Sequence, residues 1–274
     1  MAIELSPDRI DAYRAYFSGP HAELVAASIA EGNTAAQLWT TSQPDAPPAL
    51  LLWDKGNNVF YLAGKLAAAA AQRELADLLR TSIRPRALHE RLTHFKVRAL
   101  PASDEAALAM LFEGVALSEI SVVFYSFTRA QPPAPPTPEG VQLTPIDRAL
   151  LTCADLENLE PVRAEIRWMW PSEQRFYERG LGAAALAGRR VICWCTAEYV
   201  SAARCGVGIE TEPQYTRRGV ATATAAYFVQ LCRRRGLTPY WESRSSNLPS
   251  IRVAENVGFE RLAEERYWLG AFEA

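Results

Sequence analysis

A turn rich in arginine and glycine leads into a predicted helix in the second half of the chain. It contains Arg217, Arg218 and Gly219, and Ala221 keeps a following position small. The first N–H groups of a helix lack partners within the helix and lie at the positive end of its dipole, so they bind anions well. Glycine lets a phosphate approach the backbone, and the arginines add positive charge. This order of residue types indicates a diphosphate site.

A second motif follows one strand later. A predicted strand over Pro239–Ser243 leads to Asn247, and the helix predicted after it ends at Gly258 and Phe259. A single glycine before a helix is more often an ordinary turn residue than part of a binding site. The ordered second motif favours the binding site.

In these two motifs the chain resembles the GCN5-related N-acetyltransferase (GNAT) family, whose signature is Gln or Arg, two residues, Gly, one residue, and Gly or Ala. The matching segment begins at Thr216, which departs from the Gln or Arg of the pattern, and ends at Ala221. The resemblance covers Val141 to about Leu269 and is nearest to the bacterial branch that includes the zwittermicin A resistance protein. It implies acetyl-CoA as co-substrate. The residues that it places against acetyl-CoA are Ile209, Thr211, Arg217, Arg218, Gly219, Val220, Ala221, Thr222 and Asn247.

The resemblance also implies direct attack of a neutral amine on the thioester, which requires a base. Glu210, at the end of a predicted strand, is the predicted base, acting directly or through water if partial burial raises its pKa. Glu212 and Glu242 are weaker candidates. A solvated carboxylate at a strand end is an equally good interpretation of Glu210.

The group that protonates the departing thiolate is less defined. In many relatives it is a tyrosine four residues before the glycine that ends the helix, and Ala254 stands at that position here. Ser250 is the predicted substitute. Tyr240, a water molecule or amide dipoles at diverging strands are the alternatives.

The elements that must position these residues follow from hydrophobic periodicity. Strands are predicted over Arg190–Tyr199 and Ala203–Glu210, and residues 150–181 are predicted to be mostly helical. The helix that starts at Gly219 carries arginines near its negative end, and Gly236 can terminate it. Its apolar face comprises Ala221, Ala225, Phe228, Val229 and Cys232.

Prolines crowd residues 131–140 and predict an extended linker. This linker divides the chain into an N-terminal α/β domain, residues 1–130, and a GNAT domain, residues 141–274. The first half has the order strand, strand, helix, strand, helix, strand, which the second half repeats. The first half lacks the arginine-rich glycine turn. The predicted fold class is therefore α/β with a mixed (α+β) sheet, a C-terminal GNAT fold preceded by a degenerate, cofactor-free GNAT-like domain.

Composition excludes several function classes. The net charge is -2, with 29 Lys plus Arg against 31 Asp plus Glu, so no overall field favours nucleic acid or an anionic membrane. No apolar leader or spanning segment is present in the sequence, and a cytoplasmic location is expected.

The five cysteines are an odd number and are expected to be reduced. The three histidines are far from the cysteines in sequence, so no metal site is expected.

The predicted function is acetyl transfer from acetyl-CoA to a primary amine of a small-molecule or peptide acceptor. The alternative is a non-catalytic acyl-CoA-binding or regulatory protein, because Thr216 and Ala254 depart from the family pattern. Four aromatic residues on the acceptor side are predicted to pack in the core rather than line a pocket. They are Trp168, Trp170, Phe176 and Tyr177.

Overall fold

The computed structural model of the protein describes residues 2–41, 48–129 and 135–272. Its contacts divide the chain into two compact units. The first unit comprises Met1–Ser121 and Glu265–Ala274, and the second comprises Val122–Glu264. Part of the predicted linker, residues 131–134, lies outside the described residues, while residues 135–138 have no regular secondary structure.

Each half of the chain runs through the same order of elements. In the first half these are β1 (Ile3–Leu5), a 3-10 helix (Pro7–Tyr16), α1 (Pro20–Ala30), β2 (Ala36–Thr40), β3 (Ala49–Asp54), β4 (Val59–Gly64), α2 (Ala69–Leu78) continued by a π-turn (Leu79–Ile83) and α3 (Arg84–His89), β5 (Phe95–Leu100), a 3-10 helix (Ala102–Ala107) with α4 (Leu108–Leu111), and β6 (Ser118–Ser126). In the second half they are β7 (Val141–Pro145), α5 (Arg148–Leu151), α6 (Leu159–Met169), α7 (Glu173–Arg179), β8 (Gly182–Ala187), β9 (Arg190–Val200), β10 (Arg204–Thr211), a 3-10 turn (Pro213–Tyr215), α8 (Val220–Arg234), β11 (Thr238–Arg244), α9 (Leu248–Val257) and β12 (Glu260–Gly270). The predicted repeat of element order is confirmed.

Each unit contains one mixed sheet. In the first unit the strand order is β1-β2-β3-β4-β5-β12, and in the second it is β6-β11-β10-β9-β8-β7. The pairs β4–β5 and β10–β11 are parallel. The antiparallel pairs are β1–β2, β2–β3, β3–β4 and β5–β12 in the first unit, and β6–β11, β9–β10, β8–β9 and β7–β8 in the second. A parallel pair needs a crossover connection, which helices of the two halves supply. The predicted mixed α/β fold class is confirmed.

Each sheet takes one strand from the other half of the chain. The end of β6 pairs with β11 in the second unit, from Val122 opposite Arg244 to Ser126 opposite Tyr240. The end of β12 pairs with β5 in the first unit, from Trp268 opposite Val97 to Gly270 opposite Phe95. The two units therefore differ from the predicted division of the chain at the linker.

The sequence gives no prediction for β8, which lies between the predicted helical region and the first predicted strand. Strand β8 consists of glycine, alanine and leucine, and all but its last residue are buried. A strand covered on both faces shows no alternation of polar and apolar residues, and short alanine-rich segments carry little β-propensity. The usual pattern of a strand is therefore missing here.

Within the described residues, no helix is long and apolar enough to cross a membrane.

An aromatic cluster anchors the core of the first unit. Phe60 packs edge-on against Phe95, with 5.2 Å between ring centroids. Phe272, which follows β12, lies 4.3 Å from the Phe95 ring and 6.1 Å from the Phe60 ring, again between centroids. Phe112 stacks on Phe95 at 5.5 Å. The C-terminal residues are thus part of the hydrophobic core of this unit.

We predict that Phe272→Ala lowers the free energy of unfolding by about 3 kcal/mol, since it empties a buried aromatic position. Thermal or urea unfolding followed by circular dichroism measures this loss. Met110→Ala, at an exposed apolar position of the same unit, is the control and should change stability by less than about 0.5 kcal/mol. Equal effects of the two substitutions would contradict a core role for Phe272.

Candidate functional site

Strands β10 and β11 pair over only part of their length. Their paired residues run from Arg204 with Thr238 to Val207 with Trp241. Strand β10 nevertheless continues to Thr211, and β11 continues to Arg244. Beyond Val207 the two parallel strands diverge, and an opening is left between their carboxyl ends. In open α/β sheets ligands bind at the carboxyl ends of the strands.

The peptide groups of two predicted cofactor residues are directed toward this opening. The Glu212 N–H donates to the Ile192 carbonyl at 2.9 Å. Antiparallel ladders alternate between hydrogen-bonded and non-hydrogen-bonded pairs, so Glu210 also bonds toward β9. Ile209 and Thr211 then direct their N–H and C=O groups to the other side of β10, where β11 has turned away.

Helix α8 begins beside the opening, as predicted. Gly219 is its N-cap residue with φ of +77°, a left-handed conformation that glycine adopts without strain. Of the atoms that the structure describes, a Cβ atom added there would meet only Pro138 Cγ, at 3.9 Å. No side chain of the described residues caps this end of the helix. The N–H groups of Val220, Ala221 and Thr222, the first three helical residues, are therefore available to an anion.

The basic residues of the turn are exposed, in keeping with a role in binding a ligand from solvent. Arg217 has φ of +59°, and Arg218 stacks over the Tyr215 ring at 5.5 Å from its centroid. Thr216, the residue that departs from the family pattern, donates its hydroxyl to the Pro213 carbonyl at 2.8 Å. Its side chain closes the turn.

The apolar face of α8 fixes the position of its N-terminus. Val220 is buried with Ala185, Ile192 and Cys193 of the sheet. At the far end, Gly236 has φ of +71°, and the Leu237 N–H bonds to the Cys232 carbonyl at 3.0 Å. This is a glycine C-cap, so the predicted helix end is confirmed.

The second motif lies at the start of α9, at the carboxyl end of β11. The Asn247 side chain accepts a hydrogen bond from the Ser250 N–H at 3.4 Å and caps the helix. The Ser250 hydroxyl accepts one from Trp241 Nε1 at 3.0 Å. Because Trp241 is the last residue of β11 that pairs with β10, Ser250 lies next to the point of divergence. Ala254 is fully buried and fills the position of the family's tyrosine.

The three carboxylates predicted as candidate bases have different surroundings. The Glu210 side chain is partly desolvated although the residue remains exposed, and this burial raises its pKa above the ordinary value. Glu212 is held by Arg190, with contacts of 2.5 and 2.9 Å, and this pairing lowers the pKa of Glu212. Glu242 lies on β11 opposite Phe124.

A fourth carboxylate, Glu165 of α6, is missed by the sequence prediction. It accepts hydrogen bonds from Trp194 Nε1 at 2.5 Å and from the Thr196 hydroxyl. Trp194 is directly opposite Glu210 in the β9–β10 ladder. Burial raises the pKa of Glu165, and the like charge of Glu210 raises it further. The sequence did carry a signal for this residue. Glu165 follows Val162 by three residues, so it lies on the same helix face as the buried residues Val162, Ile166 and Met169.

The thiols near the site are not nucleophiles. Burial raises the pKa of Cys193 to about 11, and the Thr211 hydroxyl donates to its sulfur at 3.2 Å. Burial also raises the pKa values of Cys195 and Cys205. These thiols stay protonated at neutral pH, and only thiolates attack well. Among residues 2–41, 48–129 and 135–272, no group of three or more His, Cys, Asp or Glu side chains is arranged to hold a metal ion.

The predicted core role of the acceptor-side aromatics is confirmed for two of them. Trp170 and Phe176 are buried and meet edge to face at 5.5 Å. The prediction is wrong for Trp168, which is 58% exposed because it lies outside the buried stripe of α6. Tyr177 is half-buried under Arg148, whose guanidinium is 4.3 Å from the ring centroid.

The corresponding strands of the first unit stay paired up to the end of β5. Strands β4 and β5 pair from Val59 with Lys96 to Ala63 with Leu100, where β5 ends. A Cβ atom at Gly64, the last residue of β4, would lie 2.1 Å from the Pro48 carbonyl oxygen. This close approach of the chain requires glycine. The N-cap of the following α2 is Ala68.

The comparisons with known proteins agree with this geometry. A family model described as GNAT acetyltransferase matches residues 14–267. The uncharacterized N-acetyltransferase YdfB of Bacillus subtilis (strain 168) is 29% identical over 127 residues, which are 46% of this chain and 47% of that relative. The aligned segment thus spans about half the length of this curated relative.

Solved structures resemble the chain over nearly its whole length. A GCN5-related N-acetyltransferase-like protein from Streptococcus suis 89/1591 has a TM-score of 0.66 and 15% identity, covering 97% of this chain and 100% of that one. A GCN5-related N-acetyltransferase from Sphaerobacter thermophilus has a TM-score of 0.62 and 16% identity, covering 98% and 94%. A tandem GNAT protein from the clavulanic acid biosynthesis pathway has a TM-score of 0.57 and 13% identity, covering 100% and 99%. At these identities the likeness concerns the fold.

A mixed sheet, a diverging parallel pair and a helix that begins beside the opening define a GNAT-type fold. With the match over residues 14–267, the chain belongs to the GNAT acetyltransferase family. The predicted family is confirmed. The zwittermicin A resistance branch stays a prediction.

We predict that Asn247→Ala lowers the free energy of unfolding by about 1 kcal/mol, because α9 loses its N-cap. Asn247→Asp keeps a side-chain oxygen at the cap and should retain wild-type stability within about 0.5 kcal/mol. Urea unfolding of the three proteins compares them. A loss of equal size in Asn247→Asp would show that the amide group, rather than the capping oxygen, stabilises this region.

Proposed function

We propose that the protein transfers an acetyl group from acetyl-CoA to a primary amine of a small-molecule or peptide acceptor. The observation that carries this proposal is the divergence of β10 and β11 beyond Val207 and Trp241. Peptide groups that no longer pair across a sheet need other hydrogen-bond partners. The amides of a pantetheine arm supply such partners in an extended form.

The residues around the opening fit acetyl-CoA from end to end. The diphosphate would lie at the N-terminus of α8, on the N–H groups after Gly219 and near Arg217 and Arg218. The pantetheine arm would follow the peptide groups of Ile209 and Thr211, with the Asn247 amide across the opening. Acetyl-CoA is consumed in the reaction, so these residues bind it as a substrate.

The reaction requires a proton acceptor and a proton donor on the chain. Glu210 would accept the proton that leaves the amine nitrogen as the C–N bond forms. The C–S bond then breaks, and its electron pair goes to sulfur. Ser250, beside the point of divergence, would deliver a proton to the thiolate directly or through water. Protonated thiols at Cys193 and Cys195 favour direct attack over an acyl-cysteine intermediate.

In this proposal the first unit binds no acetyl-CoA. Its parallel pair stays closed up to Leu100, and no arginine-rich glycine turn precedes α2. The proposal therefore assigns a single acetyl-CoA site to the chain.

We predict that Gly219→Glu weakens acetyl-CoA binding by about 100-fold, equivalent to about 2.7 kcal/mol. The new carboxylate would occupy the open space at Gly219 and repel the diphosphate. Isothermal titration calorimetry with acetyl-CoA measures the change.

The matched control for this variant is Gly236→Glu. Gly236 lies at the other end of α8 and also has positive φ, and an added Cβ would have no atom of the described part of the chain within 4 Å. Both substitutions incur a similar backbone cost of about 1 to 2 kcal/mol. Only Gly219→Glu should lose binding. Failure of the wild-type protein to bind acetyl-CoA would refute the proposed function.

We predict that Glu210→Gln lowers kcat by at least about 100-fold with little change in the KM for acetyl-CoA, since a general base acts on the transition state. Release of the CoA thiol in the presence of a panel of primary amines measures turnover. Glu212→Gln should keep activity within about twofold, because Arg190 already holds Glu212 ionised. Acetyl-CoA binding without turnover of any amine would favour the alternative of a non-catalytic acyl-CoA-binding protein.

A further inference from the structure

Glu165 is a carboxylate placed inside the sheet-facing stripe of α6, where an apolar residue would pack. The buried positions of this helix are Val162, Ile166 and Met169. Burying a carboxylate is costly unless it is hydrogen-bonded. Two side chains of β9 meet this need, since Trp194 donates its indole N–H and Thr196 its hydroxyl. Both oxygens of Glu165 are thereby held in fixed positions.

The donors that hold Glu165 are opposite the proposed reaction centre. Trp194 faces Glu210 across the β9–β10 ladder, and Thr196 faces Gly208. Side chains of directly opposed residues lie on the same face of a sheet. Glu165 therefore lies on the Glu210 face of the sheet, at the level of the diverging part of β10.

The opposite face of the same strands is covered by α8. There Thr211 bonds to Cys193, and Val220 packs against Cys193 and Ile192. The two faces thus carry different chemistry. The proposed anion site at the start of α8 lies on one face of the sheet, and the carboxylates of Glu165 and Glu210 lie on the other.

We propose that Glu165 is a second proton acceptor of the acyl transfer and that, with Glu210, it receives the acceptor amine as a primary alkylammonium ion. This inference rests on the proposed function. It adds a residue for which the family pattern has no motif, and it narrows the acceptor class to amines that are protonated at neutral pH.

The two carboxylates account for the two protons that an ammonium nitrogen must lose. The first N–H proton passes to Glu165 and leaves a neutral amine. The nitrogen lone pair then attacks the thioester carbon, the C–N bond forms, and the C–S bond breaks with its electron pair on sulfur. The second proton passes to Glu210, and one proton reaches the thiolate through Ser250 or water. The sum is ammonium plus thioester giving amide, thiol and one released proton.

The charged groups around Glu165 support this role. On the sheet side it faces Glu210, and Glu198 lies further along β9. The protonated thiols Cys193 and Cys195 alternate with Trp194 and lie on the other face of the strand. The cations of α6 are paired elsewhere, Arg163 with Glu173 and Arg167 with Glu160 and Glu173. An ammonium ion bound beside Glu165 would supply positive charge to both carboxylates.

The indole N–H of Trp194 provides a direct probe, because it bonds to Glu165. In the ¹⁵N-tryptophan-labelled protein, Trp194→Phe assigns its resonance. At pH 7, n-butylammonium and spermidine should each shift this resonance in the wild type and in Glu160→Gln, an exposed control on the same helix. Tetramethylammonium, which has no N–H donor, should not. In Glu165→Gln the apparent affinity for the primary ammonium probes should fall at least about tenfold, or 1.4 kcal/mol.

A stability measurement separates this role from a structural one. Glutamine keeps one oxygen to accept from the Trp194 N–H, and its NH2 group can donate to the Thr196 hydroxyl in place of the second bond, so Glu165→Gln should fold. Burial raises the pKa of Glu165 in the folded state, so its ionisation costs stability above its unfolded pKa of about 4.3, increasingly until pH passes the raised folded value. Glu165→Gln should therefore melt about 2–4 °C higher than the wild type at pH 8. The difference should disappear as the pH falls toward 4.

Three outcomes would overturn the proposal. They are no shift of the Trp194 resonance with either primary ammonium probe, an undiminished shift in Glu165→Gln, and a lower melting temperature of Glu165→Gln at pH 8. If Glu165→Gln does not fold, Thr196→Val, which removes one donor, replaces it in the probe titration with the same expected loss. Acetyl-CoA binding by the wild type tests the proposed function independently.

Discussion

Strands β10 and β11 hold together only as far as Val207 and Trp241, and every feature of the site is arranged around the residues that follow. Peptide groups inside a protein must find hydrogen-bond partners, so two neighbouring strands that separate create a demand for an extended, amide-bearing ligand. Helix α8 starts at the same edge of the sheet, where its first N–H groups would bind an anion in the proposed function. One local loss of pairing thus sets the direction in which acetyl-CoA would lie.

Side-chain chemistry is then distributed between the two faces of the sheet by strand alternation. Thr211 lies on the side of α8, whereas Glu210 lies on the side of α6. Neighbouring residues of one strand would therefore serve different parts of the proposed reaction. On the α6 side, the arginines Arg163 and Arg167 are engaged by Glu160 and Glu173 rather than by Glu165 or Glu210.

Local signals in the sequence were sufficient for α8 and both of its ends. Gly219 and Gly236 have the positive φ angles that favour glycine, and the predicted apolar stripe between them is buried except for Ala221, which is half-buried. Strand β8 could not be predicted in the same way, because a short alanine-rich strand buried on both faces has no alternation. Glu165 had a local signal, a carboxylate in an apolar stripe, but its donors Trp194 and Thr196 are about 30 residues away. The pairing of β6 with β11 and of β12 with β5 joins strands that are still further apart in the sequence. Hydrophobic periodicity does not encode such pairings.

Because β6 pairs with β11 and β12 pairs with β5, the two halves of the chain constrain each other's change over evolutionary time. A second half on its own would present β11, which borders the proposed acetyl-CoA site, without the partner that β6 provides. Exposed strand edges of this kind invite aggregation. A first half that lacks the arginine-rich glycine turn would therefore be retained by selection as the donor of one strand, and it would be free to diverge everywhere except where that strand and its partners pair.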